Sequence, residues 1–313
     1  MKSLILGAAL LAAAPAHAQP AADQPLLKAL AEAVSAERER ATDTRLVGFG
    51  TRHTLSDTRS QTRGIGAARR WVGAEFEALS KGCSGCLQVL TPSQTFMGAR
   101  VPKPAEVVDV LAVQRGTTDP GRVVVISAHI DSRASDVMDA AIDAPGANDD
   151  GSGVAAVLEA ARILSAHRFP ATIVYAVLSG EEQGLYGGKV LADYAVAQGW
   201  RVEADLNNDI VGNIHGQDGT IDNSHVRVFS EGGRATESPA QAAARRSAGG
   251  EEDSPSRNLA RYMQVLADQY LSDLEVTMVW RPDRFGRGGD QGAMLAEGFP
   301  AVRLTEAQEN YTR

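Results

Sequence analysis

Apolar residues recur at helical spacing over Leu26–Arg40 and again over Gly64–Leu79, which predicts two helices before any strand. Short runs rich in Val and Leu follow at Leu87–Leu90, Val107–Val113 and Val123–Ala128, the last two separated by the turn-forming TTDPG, and they read as strands. Helical spacing returns over Asp150–His167, which opens on Gly-Ser-Gly, and Thr172–Leu178 (TIVYAVL) is an unbroken, uncharged run. Such an unbroken run suits a strand covered on both faces. Beyond it the pattern predicts a helix at Leu185–Gly199, a strand at Val202–Ile210, a helix at Leu259–Tyr270, a strand at Val276–Trp280, a helix at Gln291–Glu297 and a last strand at Ala301–Leu304. This alternation predicts an α/β fold, a three-layer α/β/α sandwich around a mostly parallel mixed sheet.

Two segments break the pattern. Met1-Lys2, an apolar run from Ser3 to Ala14 and Ala16-His17-Ala18 have the form of a cleavable signal peptide over residues 1–18, so the mature domain is expected to run over 19–313 and to be exported, periplasmic or extracellular. Between Gly216 and Arg257 the texture turns to Gly, Ser, Asp and Arg, and a long insertion without regular structure is expected at about 216–257. A composition that is 43% apolar can fill one large core, and a net charge of −8 without Lys/Arg-rich runs argues against a nucleic-acid partner. No second apolar stretch is long enough to span a membrane after signal cleavage. The only two cysteines, Cys83 and Cys86, precede a strand instead of opening a helix, which favours a local disulfide clip over a redox pair. Nothing in the sequence reports an oligomeric state.

The chemistry lies at the ends of the predicted strands. AHID brings His129 and Asp131, NDDGSG brings Asp149, SGEEQG brings Glu181 and Glu182, and NND brings Asp209. Ligands of open α/β sheets gather beyond the carboxyl ends of the strands, where all four motifs fall. So many carboxylates close together call for cations among them, and the set reads as a two-metal site. Zinc takes imidazole nitrogen and carboxylate oxygen. Asp149 is the candidate bridge, His129 and Asp209 candidate ligands of one ion, and Asp131 the carboxylate expected to fix the tautomer of His129. Adjacent Glu181 and Glu182 point opposite ways on an extended backbone, so one is a ligand and the other a general base; spacing does not order them.

AHID, NDDGSG, SGEEQGLYG and the NND strand end resemble the co-catalytic di-zinc exopeptidases, the group of secreted bacterial leucyl aminopeptidases and glutamate carboxypeptidase II, with glutaminyl cyclases as single-zinc relatives. The likeness is dense over Arg122–Asn213 and looser from TRHTLSDT to GGDQGAMLAEGFPAVRL. It implies the fold of that family, two zinc ions, Glu181 as general base, Glu182 on the first zinc, Asp149 as bridge, His129 and Asp209 on the second zinc, and a cis peptide between Asp149 and Asp150. It also implies hydrolysis of the terminal peptide bond of short peptides, as an aminopeptidase. A glutaminyl-cyclase-like enzyme with one zinc would need only part of this ligand set, and a calcium-binding module is disfavoured by His129, because imidazole prefers zinc and its neighbours.

Two further expectations concern the rest of the chain. Arg281, Arg284 and Arg287 in WRPDRFGRGGD could meet a substrate carboxylate, although solvation or pairing with surface acids is the commoner fate of such residues. The resemblance also implies a histidine for the first zinc soon after PAVRLTEAQENYTR, and nothing after His225 can serve: His17, His53, His129, His167 and His215 are the others. The 313-residue chain is therefore expected to be C-terminally incomplete, to hold its second zinc more tightly than its first, and to be weakly active or inactive, with His53, His215 and His225 as conceivable substitutes.

Overall fold

The computed structural model describes residues 24–310, and the predicted leader 1–18 lies outside them. An eight-stranded mixed sheet forms the centre: β1 (Leu87–Leu90), β4 (Val110–Gln114), β6 (Ala171–Leu178), β5 (Asp119–His129), β7 (Arg201–Asn208), β10 (Ala301–Glu306), β8 (His225–Phe229) and β9 (Glu275–Val279), in that spatial order. Strands β1, β5, β6, β7 and β10 run in one direction, while β4, β8 and β9 run in the other. The helices are α1 (Pro25–Glu32), α2 (Ala36–Val47), α3 (Gly64–Gly82), α4 (Ser152–Leu164), α5 (Tyr186–Ala197), α6 (Pro239–Ser247), α7 (Pro255–Tyr270) and α8 (Gln291–Ala296).

The three-layer sandwich follows from period-2 alternation along the strands. Ile173, Tyr175 and Val177 of β6 join Val110 and Ala112 of β4 in a core shared with α2, α3 and α4. Their neighbours Val174, Ala176, Leu178 and Leu111 face the other way, into a core with α5 and α8. All eight residues of β6 are buried, which accounts for the run without charged positions. A third core joins α7 to β8, β9 and β10. Strand β5 has β6 on one side and β7 on the other, so the connections that leave it diverge, and a crevice opens at its carboxyl end.

Several predicted boundaries move, each for a local reason. The first predicted helix is two, because Ser35 caps α2 by accepting from Arg38 N at 3.4 Å. The run Val107–Val113 is broken at Asp109, which ends β3 (Val101–Val108) and accepts from Ser179 N at 2.9 Å. Strand β3 pairs with β2 (Ser93–Gly98) in a separate hairpin that the polar texture of these residues concealed. The segment 216–257 is not a structureless insertion throughout: His225–Phe229 supplies β8, hydrogen-bonded between β10 and β9, and Pro239–Ser247 is helical. Five residues with alternating polar neighbours are too short a signal to stand out from such surroundings. Cys83 and Cys86 form the expected disulfide after α3. Among the described residues no helix is long and apolar enough to cross a membrane.

Candidate metal centre

His129 is the last residue of β5 and is buried. Its Nδ1 lies 3.0 Å from the carbonyl oxygen of Asp131. A carbonyl can only accept, so Nδ1 carries the hydrogen and Nε2 presents a lone pair. Nε2 has no hydrogen-bond partner although it is buried. It faces Asp149 Oδ1 at 3.2 Å and Asp209 Oδ1 at 3.8 Å. A buried, unpartnered imidazole nitrogen turned toward carboxylates is a donor set suited to zinc.

The carboxylate expected to orient His129 does something else. Asp131 holds the imidazole through its backbone carbonyl, whereas its Oδ1 is 3.6 Å from Nδ1. The two side-chain oxygens accept from Glu181 N at 3.2 Å, from Glu182 N at 3.1 Å and from the Thr54 hydroxyl at 2.9 Å. Asp131 thus fixes the turn that carries both glutamates, and it does so from two residues beyond the end of the strand that carries His129. Thr54 belongs to TRHTLSDT, whose Arg52 is buried and donates to the carbonyls of Ile130, Pro145 and Gly146 at 2.7, 2.6 and 2.8 Å. That segment braces the loop before Asp149.

Asp149 and Asp150 divide two tasks, and the peptide between them is cis. The side chain of Asp149 is 39% exposed and points to His129 Nε2. Asp150 is fully buried, and sequence reasoning gave it no role. Its Oδ2 accepts from His129 N at 3.1 Å, and its Oδ1 accepts from Gly153 N at 3.0 Å and Ile210 N at 3.1 Å. His129, Asp150 and Asp209 each place an atom within 4.8 Å of the others. Three backbone donors nevertheless engage both oxygens of Asp150, while Asp149 and Asp209 approach the free imidazole nitrogen, so the geometry favours Asp149 over Asp150 as the metal-facing residue. The available signal was an aspartate three residues before Gly153 at a helix start, the position from which a side chain caps a helix. A Cβ on Gly153 would collide with Asn208 O and the Asp150 carboxylate, which is why glycine stands there.

Glu182 and Asp209 both carry arginine partners that sequence reasoning missed. Arg133 Nε donates to Glu182 Oε2 at 2.6 Å, and Arg100, at the tip of the β2–β3 hairpin, donates to the Glu182 carbonyl at 2.8 Å. Arg303 of β10 lies 2.9 Å from Asp209 Oδ1. Burial raises the Glu182 carboxyl to about 7, with repulsion from Asp149 adding to the shift. Burial also pushes Glu181 well above the ordinary glutamate range, opposed by His129 and reinforced by Asp209, Asp290 and Glu182. Desolvation would lower His129, but Asp131, Asp149 and Asp209 outweigh it and raise its affinity for a proton. A metal ion would compete with that proton for Nε2.

Other sequence candidates have partners of their own. His53 Nε2 is 3.0 Å from both Val137 O and Gln183 Nε2, and His225 Nδ1 contacts Asp222 at 3.0 Å. Arg284 pairs with Glu309 at 2.8 Å and Arg281 stacks over the Phe285 ring, the paired fate rather than an open one.

A model of peptidase family M28 matches residues 109–312. The chain belongs to peptidase family M28. It is 44% identical over 286 residues to a probable zinc metalloprotease of Leptosphaeria maculans, covering 91% of this chain and 66% of that one. With a probable zinc metalloprotease of Pyrenophora teres f. teres it shares 44% over 296 residues, 94% of this chain and 61% of the relative. The chain thus spans less than two thirds of the length of these relatives. Among solved structures it is similar in fold to the LapA aminopeptidase of Legionella pneumophila (TM-score 0.66, 18% identity, 99% of this chain and 71% of that one). It also resembles a glutaminyl cyclase of Porphyromonas gingivalis (TM-score 0.58, 17% identity, 90% and 87%).

Proposed function

We propose that this family M28 chain is a zinc exopeptidase, an aminopeptidase acting on short peptides, with Glu181 as its general base. The observation that carries this reading is the buried Nε2 of His129, without a protein partner and directed at Asp149 and Asp209. His129, Asp209 and Asp149 would hold one zinc, and Asp149 with Glu182 a second. When bound, zinc supplies Lewis-acid polarisation of the peptide carbonyl and lowers the pKa of water toward neutrality. The chain supplies the rest. Glu181, held by its backbone on Asp131 Oδ1, takes a proton from the attacking water and returns it to the departing amine as the C–N bond breaks. Its raised proton affinity suits that double role, because the base must also become the acid. The leader-like N-terminus and the Cys83–Cys86 disulfide support export to an oxidising compartment.

Glu181→Gln tests the assignment: turnover of aminoacyl-nitroanilides should fall roughly 10²–10⁴-fold, while bound zinc measured by mass spectrometry is unchanged. Loss of zinc in this variant would show that the two glutamates have exchanged roles. Cyclisation of N-terminal glutamine in place of hydrolysis would instead identify a cyclase.

A further inference from the structure

Arg303 is fully buried in the middle of β10, level with Asn207 of β7. Its guanidinium serves two regions at once. Nη2 lies 2.9 Å from Asp209 Oδ1. Nη1 donates to Asp283 Oδ1 at 3.1 Å and to the Gly288 carbonyl at 3.1 Å. Asp283 accepts in turn from Gln291 Nε2 at 2.7 Å. The 281–290 loop reached in this way touches the segment that follows the two glutamates, since Asp290 Oδ1 accepts from Gly188 N at 2.9 Å.

A buried arginine loses several kcal/mol of hydration, which only well-placed partners offset. A core ion pair with Asp283 would account for one end of the guanidinium. It does not account for the other end, set on the same Asp209 oxygen that faces His129 Nε2 at 3.8 Å. We infer that Arg303 is a positioning residue: it aims Asp209 at His129 and clamps the 281–290 loop against the glutamate-bearing segment, so one side chain sets both halves of the centre. This rests on the reading of the site as a zinc centre. The planar fork matters, because a lysine ammonium cannot span Asp209, Asp283 and the Gly288 carbonyl together.

Two readouts separate the halves. Zinc affinity is measured by competition with a chelator, and the clamp by trypsin cleavage after Arg284 and Arg287, which lie in the loop. Arg303→Met should bind zinc about 10–100-fold more weakly, the usual cost of losing an outer group that orients a ligand. Its loop should be cleaved at least about tenfold faster, with or without zinc, because the opening free energy of the loop falls. Arg303→Lys should recover part of the zinc affinity and none of the loop protection. If Arg303→Met does not fold, Asp283→Asn decides: faster cleavage with zinc affinity kept within about threefold supports the clamp, and unchanged cleavage overturns it. Zinc affinity in a folded Arg303→Met within about twofold of the parent overturns the positioning role. A parent chain that binds no zinc defeats the zinc-centre reading itself, while loop cleavage still reports on the clamp.

Discussion

The carboxyl end of the central sheet is crowded with acids, whereas one cavity at the opposite end is lined by bases. At the carboxyl end of the parallel strands stand Asp131, Asp149, Asp150, Glu181, Glu182 and Asp209, close enough that the carboxyls of Glu181 and Glu182 are pushed upward. At the other end, where β4 finishes and β6 begins, a cavity of about 540 Å³ is lined by Arg115, His167 and Arg168 beside the Cys83–Cys86 disulfide, with no carboxylate among its lining residues. The register places the ends apart: Gln114 pairs with Ile173 at one, His129 with Leu178 at the other. The acidic end is expensive to fold, because its charges are buried and alike. Loops alone do not hold it. It is held by backbone donors aimed at carboxylates and by arginines brought from other strands, as Asp131, Asp150 and Arg303 show. The basic cavity is braced differently: Gln114 donates to the carbonyls of Leu164 and His167 at 3.2 and 2.7 Å, and Arg162 pairs with Glu159 at 2.6 Å.

The largest stability effect expected from this contrast lies beneath the acidic end. Asp205 of β7 is buried with the Ser127 hydroxyl donating to it at 2.7 Å, and burial raises its carboxyl to about 7. A carboxyl whose folded value is raised contributes stability that is complete below its unfolded value and is lost as pH rises through the folded one. The loss should amount to about 4 kcal/mol between about pH 4 and pH 7. Urea unfolding of Asp205→Asn should show a flatter pH dependence across that window, and an unaltered slope would mean that Asp205 is ionised in the fold.

Asp150→Asn sharpens the division of labour with Asp149. It keeps an oxygen for Gly153 N and Ile210 N but loses the acceptor for His129 N, so a cost of about 1–3 kcal/mol is expected with zinc content retained. Loss of zinc with the fold intact would make Asp150 the ligand in place of Asp149. The smallest effect belongs to the other end. Arg115→Ser combined with Arg168→Ser should change stability by less than about 0.5 kcal/mol and leave zinc content and peptidase rate alone. A fall in either would show that the basic cavity is coupled to the metal centre.

Much of the chain was legible before folding. Strand β6 announced itself by a run without charge, and His129, Asp149, Glu181, Glu182 and Asp209 were visible as polar tips on apolar runs, because a strand's burial and its exit from the sheet both leave marks in local sequence. Strand β8 left little mark, being five residues long in polar surroundings and stabilised by the pairing it makes with β10 and β9. Adjacency to His129 placed the Asp131 carboxylate beside the imidazole, 3.6 Å from Nδ1, but gave no sign that the backbone carbonyl comes closer, at 3.0 Å, or that the carboxylate also holds the glutamate turn. Asp150, Arg133 and Arg303 stayed hidden for a shared reason. Each acts on residues many positions away: Arg133 on Glu182, Arg303 on Asp209, and Asp150 on His129 and Ile210. Sequence alone determined that an imidazole and several carboxylates sit at the strand ends. Which carboxylate faces the imidazole, and which cation holds each acid in place, depended on charges meeting across strands, and only the tertiary structure decided that.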